Sequence, residues 1–521
     1  MKNMKHSELA QAVMIAVVLS VVVIASYALF GQSLLLRPFW MDEIHSWLLI
    51  SDPDPIHALQ SLQHGADYNP PVYYAVARFC GWLIPLTEYN LRILSVLATL
   101  STMIGLALVF DRHMRMPASI GCSLLICSQG LVILQSTEAR FYALWMALLT
   151  WFCFGLTTGK RSFLIVQFAI LSGFAALVAG THYFGIISIG LVCSAFIVVR
   201  RFEKAAVVRA GVPFLAAIVA VAFSWPLLSG QKAALTAATW VTPADLQRTT
   251  HYVLQFFPQV LLLVSLAIWL VGFFLKESTL NELSELSNHD SASPDLTQDN
   301  PVDLNENQKA EVSDDVVPPD ALFVFGSLLL MPIVLIVFSL VVQPVLVNRY
   351  SVVACLWLVP VLTLLLRSTE RRKSLLVFVA GCVMFAIAVR HGAATWNYNL
   401  KDNRELAAQL QQIPDGSVVL FEDRIDYWLL QHKDPHQTWY QLDFETPADG
   451  GVSNLKLVQR DVGRVIQNHY PNRFPLESIS EFDQQDVFVV PYLGQQPIEA
   501  VNQSGRMMTQ VSDRILKASL K

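Results

Sequence analysis

The stretch AQAVMIAVVLSVVVIASYALF, residues 10–30, contains 21 consecutive residues and no charged side chain. An apolar run of about 20 residues is long enough to cross the hydrocarbon core of a bilayer as a helix. It follows a short segment that carries Lys2 and Lys5. The run is longer than the core of a cleavable signal and lacks a small-residue cleavage motif. We therefore predict a retained first transmembrane helix whose N-terminus lies in the cytoplasm.

The composition of the whole chain is that of a membrane protein. Of its 521 residues, 54% are apolar and 15% are charged, and the mean hydropathy is +0.46. Soluble domains contain about 25% charged residues, so an ordinary cytosolic enzyme and a disordered chain are both excluded. The net charge of −5 gives no sign of nucleic-acid binding. The seven cysteines lack zinc-site spacing, and we expect them to pack as small apolar residues without forming disulfides.

Ten further apolar stretches predict ten more helices, which gives about 11 spans. They lie at roughly 91–110, 117–135, 141–158, 162–180, 182–200, 207–229, 252–275, 320–342, 350–366 and 374–390. The connections alternate in charge, with twelve Lys or Arg residues in one set and four in the other. Because basic connections face the cytoplasm, we predict a polytopic α-helical protein of the plasma membrane, of the bacterial inner-membrane type.

Residues 70–86 are apolar enough to suggest another span, but they contain three prolines and Arg78. If they crossed the membrane, every later segment would invert and the basic connections would face outward. An amphipathic helix lying flat on the outer surface keeps the charge pattern intact. We therefore predict that residues 32–90 form a first periplasmic loop with interfacial helices.

Two long polar regions remain. Residues 276–319 are acidic and rich in Ser, Asn, Asp and Pro, which is typical of a flexible cytoplasmic loop. Residues 392–521 contain the periodic patterns of a folded unit. We predict a transmembrane domain over residues 1–391 and a small periplasmic α/β domain over residues 392–521. The predicted elements of the second domain are helices at Lys401–Ile413 and Asn454–His469 and strands at Ser417–Phe421 and Asp486–Pro491.

The central parts of the predicted spans contain no Asp, Glu, Lys or Arg. Ion-coupled transporters usually need such groups, or broken helices, near the midplane, and the sequence indicates neither. Polar residues instead lie at the outer ends of the spans, where five separate connections supply them. They are Asp42, Glu43, Asn69, Arg92, Glu138, Arg140, His182, Tyr183, Arg349 and Tyr350. This placement suits chemistry at the membrane–water boundary better than conduction.

The motif WMDEIHSW, residues 40–47, lies shortly after the first span. It places two adjacent carboxylates, Asp42 and Glu43, among aromatic and apolar side chains. A carboxylate in such a setting can accept a proton from an attacking hydroxyl or hold a divalent cation. The alternative is a solvated loop flanked by interfacial tryptophans.

The motif HGADYNPPVYY, residues 64–74, combines Asn69 with a proline pair and two tyrosines. A proline pair suits the start of a helix, because its missing N–H groups are not needed there. Asn69, Tyr73 and Tyr74 are candidate substrate-binding residues at the level of the lipid headgroups. The alternative is a structural helix start with an aromatic belt.

Three shorter motifs mark later outer connections: STEARFY at 136–142, THYF at 181–184 and NRY at 348–350. Glu138 is a candidate second acid, or a residue that orients a base. Arginines can clamp a phosphate with two hydrogen bonds, and interfacial anchoring is the alternative for each motif. The candidate substrate-binding residues here are Arg140, Tyr142, His182, Tyr183, Arg349 and Tyr350, together with Arg92 at the start of the second span.

In their order along the chain, these motifs resemble those of the GT-C class of integral-membrane glycosyltransferases, over roughly residues 10–390. The resemblance is closest to the protein-mannosyltransferase and aminoarabinose-transferase-like group (glycosyltransferase family 39 type). It rests on the acidic pair after the first span, the NPPVYY and EARFY segments, Arg92, the THY segment and the RY pair.

The resemblance implies a GT-C-like fold, membrane lipids as surroundings and a polyprenyl-phosphate-linked sugar as donor, transferred on the non-cytoplasmic face. Asp42 matches the family acid that deprotonates the acceptor or supports a metal, and Glu43 is its neighbour. Glu138 and Arg140 match a second cluster near the donor, and Arg349 is expected to meet the lipid phosphate.

The resemblance leaves the cofactor open. Some members hold a divalent metal ion and others need none, and here Asp42 and Glu138 would be the ligands. The family often has a lysine before the proline pair, where this chain has Asn69. The sugar and the acceptor (protein, lipid or glycan) are not defined by these motifs.

Two other functions compete with glycosyl transfer. An exporter or flippase of envelope lipids would explain the apolar bulk but not the charged residues at one face. A polytopic scaffold would use the C-terminal domain to bind envelope partners.

Overall fold

The structure of the protein is a computed structural model. It describes residues 6–37, 39–158, 165–234, 319–342, 345–366, 370–399, 401–414 and 417–421, residues 247, 249–250 and 252, and short segments between 438 and 519.

Most of the described chain is helical. Helices α1 to α13 are His6–Phe30, Gln32–Leu35, Met41–Ser51, Pro55–Gln63, Val72–Gly81, Glu88–Phe110, Met116–Cys127, Gly130–Ser136, Tyr142–Thr158, Ile165–Thr181, Gly185–Val199, Lys204–Phe223 and Trp225–Ala234. Helices α14 to α18 are Pro319–Gly326, Leu330–Val341, Leu358–Leu366, Arg371–Asn399 and Lys401–Leu410, with 3₁₀ segments at Ser327–Leu329 and Asn348–Trp357.

Six helical segments of the described residues are long and apolar enough to cross a membrane. They are Ser7–Phe30, Glu88–Phe110, Lys204–Phe223, Asp320–Val341, Asn348–Leu366 and Arg371–Trp396. The bent pair α7–α8 raises the number to seven, and the shorter apolar helices α9, α10 and α11 lie at three more predicted spans. The prediction of a multi-pass helical membrane protein is confirmed, while the predicted span at 252–275 lies outside the described residues except for Tyr252.

The predicted span at 117–135 is not one straight helix. Helix α7 ends at Cys127, α8 begins at Gly130, and the two are bent by 82°. Gln129 between them has an extended backbone, with a ψ of 135°, and glycine at position 130 has a low helix propensity. The expectation that the bundle lacks a broken helix is therefore wrong. The Ser128-Gln129-Gly130 break was not visible as a change in the apolar pattern.

Residues 70–86 do not contain a membrane-spanning helix. Helix α5 has 10 residues, so its length of about 15 Å is half of a bilayer core. One side buries Tyr73, Tyr74 and Ala77 against the bundle, whereas Phe79 and Trp82 at its end are exposed. Such an amphipathic pattern is typical of an interfacial helix, and the position of α5 on the membrane surface stays a prediction.

Helices α7 and α17 pack backbone to backbone through a pair of glycines. A Cβ atom on Gly121 would lie 2.4 Å from Val377 O, and one on Gly381 would lie 2.6 Å from Gly121 O. Small residues permit such close approach between helices in a membrane, where packing replaces the hydrophobic effect as the force that holds helices together.

Replacing Gly121 by Val is expected to destabilise the protein by about 1–3 kcal/mol or more, because the added atoms collide with rigid backbone. Thermal unfolding in detergent measures this. The matched control is Gly173→Val in α10, where a Cβ atom has open space. Equal unfolding temperatures for the two variants would contradict close packing of α7 and α17.

The C-terminal region forms a mixed sheet. Its strands are β1 Val418–Phe421, β2 Thr438–Asp443, β3 Leu476–Ser478, β4 Val487–Val490, β5 Met507–Ser512 and β6 Ile515–Ser519. The order is β3-β2-β1-β4-β6-β5, with parallel pairs from β3 to β4 and antiparallel pairs at β4–β6 and β6–β5.

Several C-terminal predictions can be compared with this sheet. The predicted strands at 417–421 and 486–491 correspond to β1 and β4, and the predicted helix at 401–413 corresponds to α18. The predicted helix at 454–469 lies outside the described residues except for its last two positions, and the acidic 276–319 loop lies outside them except for Pro319. The seven cysteines are free.

Candidate active site

Glu43 lies fully buried at the centre of a charged cluster. Its Oε1 accepts hydrogen bonds from Arg92 Nε at 2.9 Å and from Ala139 N at 2.7 Å. Its Oε2 accepts from Arg92 Nη2 at 2.7 Å and from Trp40 N at 3.1 Å. Arg37 Nη2 lies 3.7 Å from Glu43 Oε1. Glu43 therefore joins the start of α3 to the start of α6 and to the segment before α9.

The start of α3 explains why Glu43 points inward. Trp40 is the N-cap residue with an extended backbone, and the side chain of Glu43, three residues later, accepts a hydrogen bond from its N–H, as the residue at this position does in a capping box. Both acids of the motif thus lie in the first helical turn, where the helix dipole favours negative charge. Successive residues point about 100° apart around a helix, so Asp42 contacts a different set of partners from Glu43.

Arg92 and Arg37 are directed into the protein. Arg92 is fully buried, and its Nη1 donates to Leu35 O at 3.1 Å and to Arg37 O. Arg37 donates to Thr137 O at 3.0 Å, and its guanidinium carbon lies 3.9 Å from the ring centroid of Trp396 in α17. The sequence did not single out Arg37, although a lone charge after an apolar run was an available signal.

Asp42 forms an ion pair with Arg349 Nη1. The two side chains are 13% and 15% exposed, so each keeps a small exposed surface, although Asp42 Oδ2, the oxygen that forms the pair, is itself buried. Burial raises the pKa of Asp42, but the positive charges of Arg349 and Arg140 outweigh this and bring it to about 2. Asp42 is therefore a carboxylate near neutral pH.

Arg140 is held by Asp67. Its Nη1 donates to Asp67 Oδ2, to Asp42 O at 2.9 Å and to Ser46 Oγ at 2.9 Å. The positive charge of Arg140 lowers the pKa of Asp67, which burial alone would raise. Asp67 was part of a quoted motif but not a predicted site residue, because its partner lies 73 positions away. The Asp67–Arg140 pair ties the first outer loop to the start of α9.

Asn69, Tyr74 and Tyr183 support this pair. Asn69 Nδ2 donates to Asp67 Oδ1 at 3.0 Å, and Tyr74 Oη donates to Asp67 Oδ2 at 2.7 Å. Gln231 Nε2 donates to Asp67 O at 3.1 Å, while its Oε1 accepts from Tyr183 Oη at 2.8 Å. Three of the predicted substrate-binding residues therefore contact Asp67 or its neighbour Gln231.

Tyr73 differs from Tyr74 because its hydroxyl is buried without a hydrogen-bond partner among the described residues. Its ring lies 6.5 Å from that of Phe141 and 5.7 Å from that of Tyr74. A buried hydroxyl without a partner is costly, which favours a partner supplied from outside the chain.

The carboxyl group of Glu138 lies in an environment that disfavours its charged form. The residue is partly exposed, but its Oε2 is buried and has no hydrogen-bond partner among the described residues. Burial raises the pKa of Glu138, and the negative charges of Glu43 and Asp42 add to this effect. The positive charges of Arg37 and Arg349 lower the pKa, and the net value is about 7. Glu138 can therefore lose or gain a proton near neutral pH.

Replacing Glu138 by Gln is expected to stabilise the protein increasingly from about pH 5 to about pH 8. Its pKa is raised from 4.5 to about 7, so the folded protein binds more protons in this window than the unfolded chain. The wild type therefore loses stability as the pH rises, whereas the neutral amide does not. Thermal midpoints of variant and wild type, compared at each pH, measure this. The exposed Glu203→Gln is the control, and a pH-independent difference for Glu138→Gln would contradict the prediction.

His182 lies within a wall of aromatic rings. Its imidazole stacks on Trp145 at 4.6 Å and on Phe141 at 4.9 Å, and the Tyr350 ring is 5.2 Å away. Burial and the charges of Arg140 and Arg349 lower the pKa of His182 to about 3, so the ring is neutral. Phe184 N donates to its Nδ1 at 3.1 Å, which leaves the ring proton on Nε2.

Tyr142 and Tyr350 connect this wall to the ion pair of Asp42 and Arg349. Their ring centroids are 6.3 Å apart, and the guanidinium carbon of Arg349 lies 5.9 Å from the Tyr142 ring. The aromatic surface thus ends beside the charged cluster. Such a surface suits the apolar faces of a sugar ring or a prenyl chain.

The described residues do not fit a metal site. Among them, no group of three or more His, Cys, Asp and Glu side chains could hold a metal ion. Asp42 is neutralised by Arg349, and Glu138 is surrounded by arginines as well as acids.

Connections that the sequence predicts on one face of the membrane meet in this cluster. Carboxyl groups of the first loop pair with guanidinium groups at the start of α6, before α9 and in the 3₁₀ segment Asn348–Trp357. The ion pairs that join different connections are Glu43–Arg92, Asp67–Arg140 and Asp42–Arg349.

No protein-family model matches the sequence, and no curated protein matches it significantly. Solved structures do match. The crystal structure of ArnT from Cupriavidus metallidurans bound to undecaprenyl phosphate has a TM-score of 0.55 and 12% identity, covering 96% of this chain and 97% of that chain. The apo state of the same protein gives a TM-score of 0.56 with 11% identity and 98% coverage of both chains. The chain has the ArnT fold.

This similarity confirms the fold predicted from the sequence, a GT-C-like helical bundle with a small C-terminal α/β region. A weaker likeness links the chain to the archaeal oligosaccharyltransferase AglB from Archaeoglobus fulgidus, with a TM-score of 0.43 and 12% identity over 93% of this chain and 70% of that chain. The role of each residue in an ArnT-like fold must come from its own contacts, because identity this low carries only the fold.

Proposed function

We propose that the protein is a glycosyltransferase that moves a sugar from a polyprenyl-phosphate-linked donor to an acceptor on the non-cytoplasmic face of the membrane. The observation that carries the proposal is the accessible Asp42–Arg349 ion pair beside Glu138, at one end of a bundle with the ArnT fold. The undecaprenyl phosphate bound by Cupriavidus ArnT supports the choice of donor.

The balance of charge favours an anionic ligand. The cluster contains four guanidinium groups and four carboxyl groups. They belong to Arg37, Arg92, Arg140 and Arg349 and to Asp42, Glu43, Asp67 and Glu138. Below about pH 7 one of the four acids, Glu138, is protonated. Counting only these groups, the cluster then has one positive charge in excess, which attracts a phosphate in a poorly solvated site.

Arg349 is the guanidinium that a phosphate can reach. Its partner Asp42 is a single, partly exposed carboxylate, whereas Arg92 is fully buried on Glu43 and Arg140 is held by Asp67. The donor phosphate therefore replaces Asp42 on Arg349. This exchange removes the main charge that lowers the pKa of Asp42, so its carboxylate becomes a stronger base when the donor is present.

The transfer step follows from this exchange. The acceptor oxygen attacks the anomeric carbon, the bond from that carbon to the phosphate oxygen breaks, and the electron pair leaves on the phosphate beside Arg349. Asp42 accepts the acceptor's proton. Arg349 stabilises the charge that develops on the leaving phosphate. Attack opposite to the leaving group inverts the anomeric configuration.

Glu43, predicted from the sequence as catalytic, has a different role in this proposal. Its two oxygens are occupied by Arg92, Ala139 and Trp40. It therefore positions α3, and Asp42 with it, without contacting the substrate. Glu138 supplies the titratable charge that adjusts the affinity for the phosphate.

The test uses purified protein in proteoliposomes and a panel of polyprenyl-phosphate-linked sugars carrying a radiolabel. We expect one donor to lose its label to an envelope lipid, glycan or protein fraction, and undecaprenyl phosphate to be released. No release from any donor, with the protein folded, would contradict the proposed function.

An exporter or flippase is the second candidate, and the break between α7 and α8 favours it, because transporters use broken helices. Residues at this break, Ser128 and Gln129, are not ionisable, however. The same proteoliposomes distinguish the two functions. Movement of a fluorescent lipid-linked sugar between leaflets without any release of the sugar would support transport.

A further inference from the structure

Helix α3 belongs to two hydrophobic cores. Asp42 and Glu43 in its first turn face the charged cluster described above. Ile44 and Leu48, four residues apart, are 2% and 1% exposed. They pack into a separate apolar cluster built from the C-terminal region: Leu406, Leu410, Ile413, Val419, Phe421, Tyr470, Phe488, Val490 and Ile515. The C-terminal sheet thus completes its own core with the helix that carries Asp42.

The other end of α3 is also attached to the C-terminal region. Asp52 caps α3 and is buried. Its Oδ2 accepts a hydrogen bond from Tyr470 Oη at 2.8 Å and one from His57 Nδ1 at 2.6 Å. Its Oδ1 accepts from Asp54 N at 2.9 Å. Two independent contacts therefore fix α3 against residues more than 350 positions later in the chain.

Three histidines extend this second contact. His469 lies between the other two, with its Nδ1 3.3 Å from His57 Nε2 and its Nε2 3.0 Å from His64 Nδ1. If each ring is neutral and protonated on Nδ1, then His64 donates to His469, His469 donates to His57, and His57 donates to Asp52. Each donor N–H between neighbouring members of this chain then faces an acceptor.

We propose that Tyr470 and the chain of His64, His469 and His57 form a clamp that positions the Asp42 helix, and that protonation of the central histidine opens it. The proposal rests on the proposed function for the meaning of Asp42, but the clamp itself does not. Tyr470 and the three histidines are positioning residues, since none of them contacts the charged cluster.

The electrostatics give the direction of the pH effect. The groups that act on His469 are His64, His57 and Asp52, and Tyr470 acts on Asp52. Burial and the two other histidines lower the pKa of His469 from 6.5, and Asp52 only partly opposes them. The clamped state thus binds fewer protons than the open state. The clamp is fully stable above about pH 6.5 and weakens as the pH falls below it.

The test is hydrogen–deuterium exchange of the α3 backbone in the full-length protein, at about pH 7.5 and about pH 5.5 after correction for the intrinsic rate. We expect α3 of the wild type to exchange about five- to tenfold faster at the lower pH, the factor expected from losing one buried hydrogen bond. His469→Ala should exchange fast at both values. His469→Gln can accept from His64 and donate to His57 without titrating, so it should exchange slowly at both.

Two further variants sharpen the outcome. Tyr470→Phe should lower kcat in the transfer assay without raising the KM for the donor, because it displaces Asp42, which competes with the donor phosphate, and leaves Arg349 in place. His113→Gln, between α6 and α7, should behave as the wild type throughout. Unchanged α3 exchange in His469→Ala would overturn the clamp. Exchange that changes as expected in a protein that transfers no sugar would leave the clamp and overturn the proposed function.

Discussion

Asp42→Asn is expected to lower sugar transfer by at least about 100-fold, since it removes the proton acceptor, and at the same time to strengthen the binding of undecaprenyl phosphate. The second effect arises because Asp42 and the donor phosphate compete for Arg349. Without the competing carboxylate, Arg349 is free to bind the phosphate, and we expect affinity to rise about three- to tenfold.

Opposite changes in binding and catalysis separate this mechanism from simple damage to the site. Binding of undecaprenyl phosphate is measured by thermal shift or by scintillation proximity, and transfer by release of a radiolabelled sugar. Arg349→Gln is the partner variant, and it should weaken both binding and transfer. Asp111→Asn, whose carboxylate accepts hydrogen bonds from Gln11 at the other end of α6, should change neither.

Two results would contradict the exchange. If Asp42→Asn transferred sugar at the wild-type rate, Asp42 would not be the proton acceptor. If it bound undecaprenyl phosphate more weakly than the wild type, the carboxylate would not compete with the phosphate, and a role in holding Arg349 in place would follow.

The long apolar stretches and the low content of charged residues were enough to predict the class of the fold. A long uncharged helix in a chain with few charges has few alternatives to the bilayer. The bend between α7 and α8 was not predictable in this way, because both halves are apolar and the break depends on three small or polar residues. Similarly, the contact of Ile44 and Leu48 with the C-terminal sheet depends on packing between segments far apart in sequence.

Only part of the candidate site could be predicted, because the sequence does not show which charged side chains pair with one another. Motifs report which polar residues occur at the ends of spans, so the outer cluster could be proposed from sequence. They do not report which charge faces which. Asp67 was passed over because its partner Arg140 lies in another connection. Arg37 was passed over because it is a single charge outside the motifs, and its proximity to Glu43 depends on the fold.

The adjacent acids Asp42 and Glu43 show the same limit most clearly. The sequence treats them alike, as a pair of carboxylates. In the structure one is partly exposed and bonded to an arginine that a ligand can reach, while the other is fully buried and bonded on both oxygens. The two residues are adjacent in α3 and point in different directions, so Asp42 is a candidate for catalysis and Glu43 is a candidate for a structural role.

Glu43→Gln is therefore expected to act on stability, with a loss of about 3–5 kcal/mol, because it leaves the buried Arg92 without its compensating charge. Thermal unfolding in detergent and the yield of monodisperse protein measure this loss. Asp42→Asn is the matched control, as it makes the same chemical change at the neighbouring residue, and it should lose less stability than Glu43→Gln, because its partner Arg349 is partly exposed whereas Arg92 is fully buried. If the two variants were equally stable and equally inactive, both acids would belong to the chemistry. The double variant Glu43→Gln, Arg92→Gln leaves no unpaired charge from this buried pair. If Glu43→Gln alone failed to fold and the double variant regained part of the lost stability, the charge pair would account for the effect.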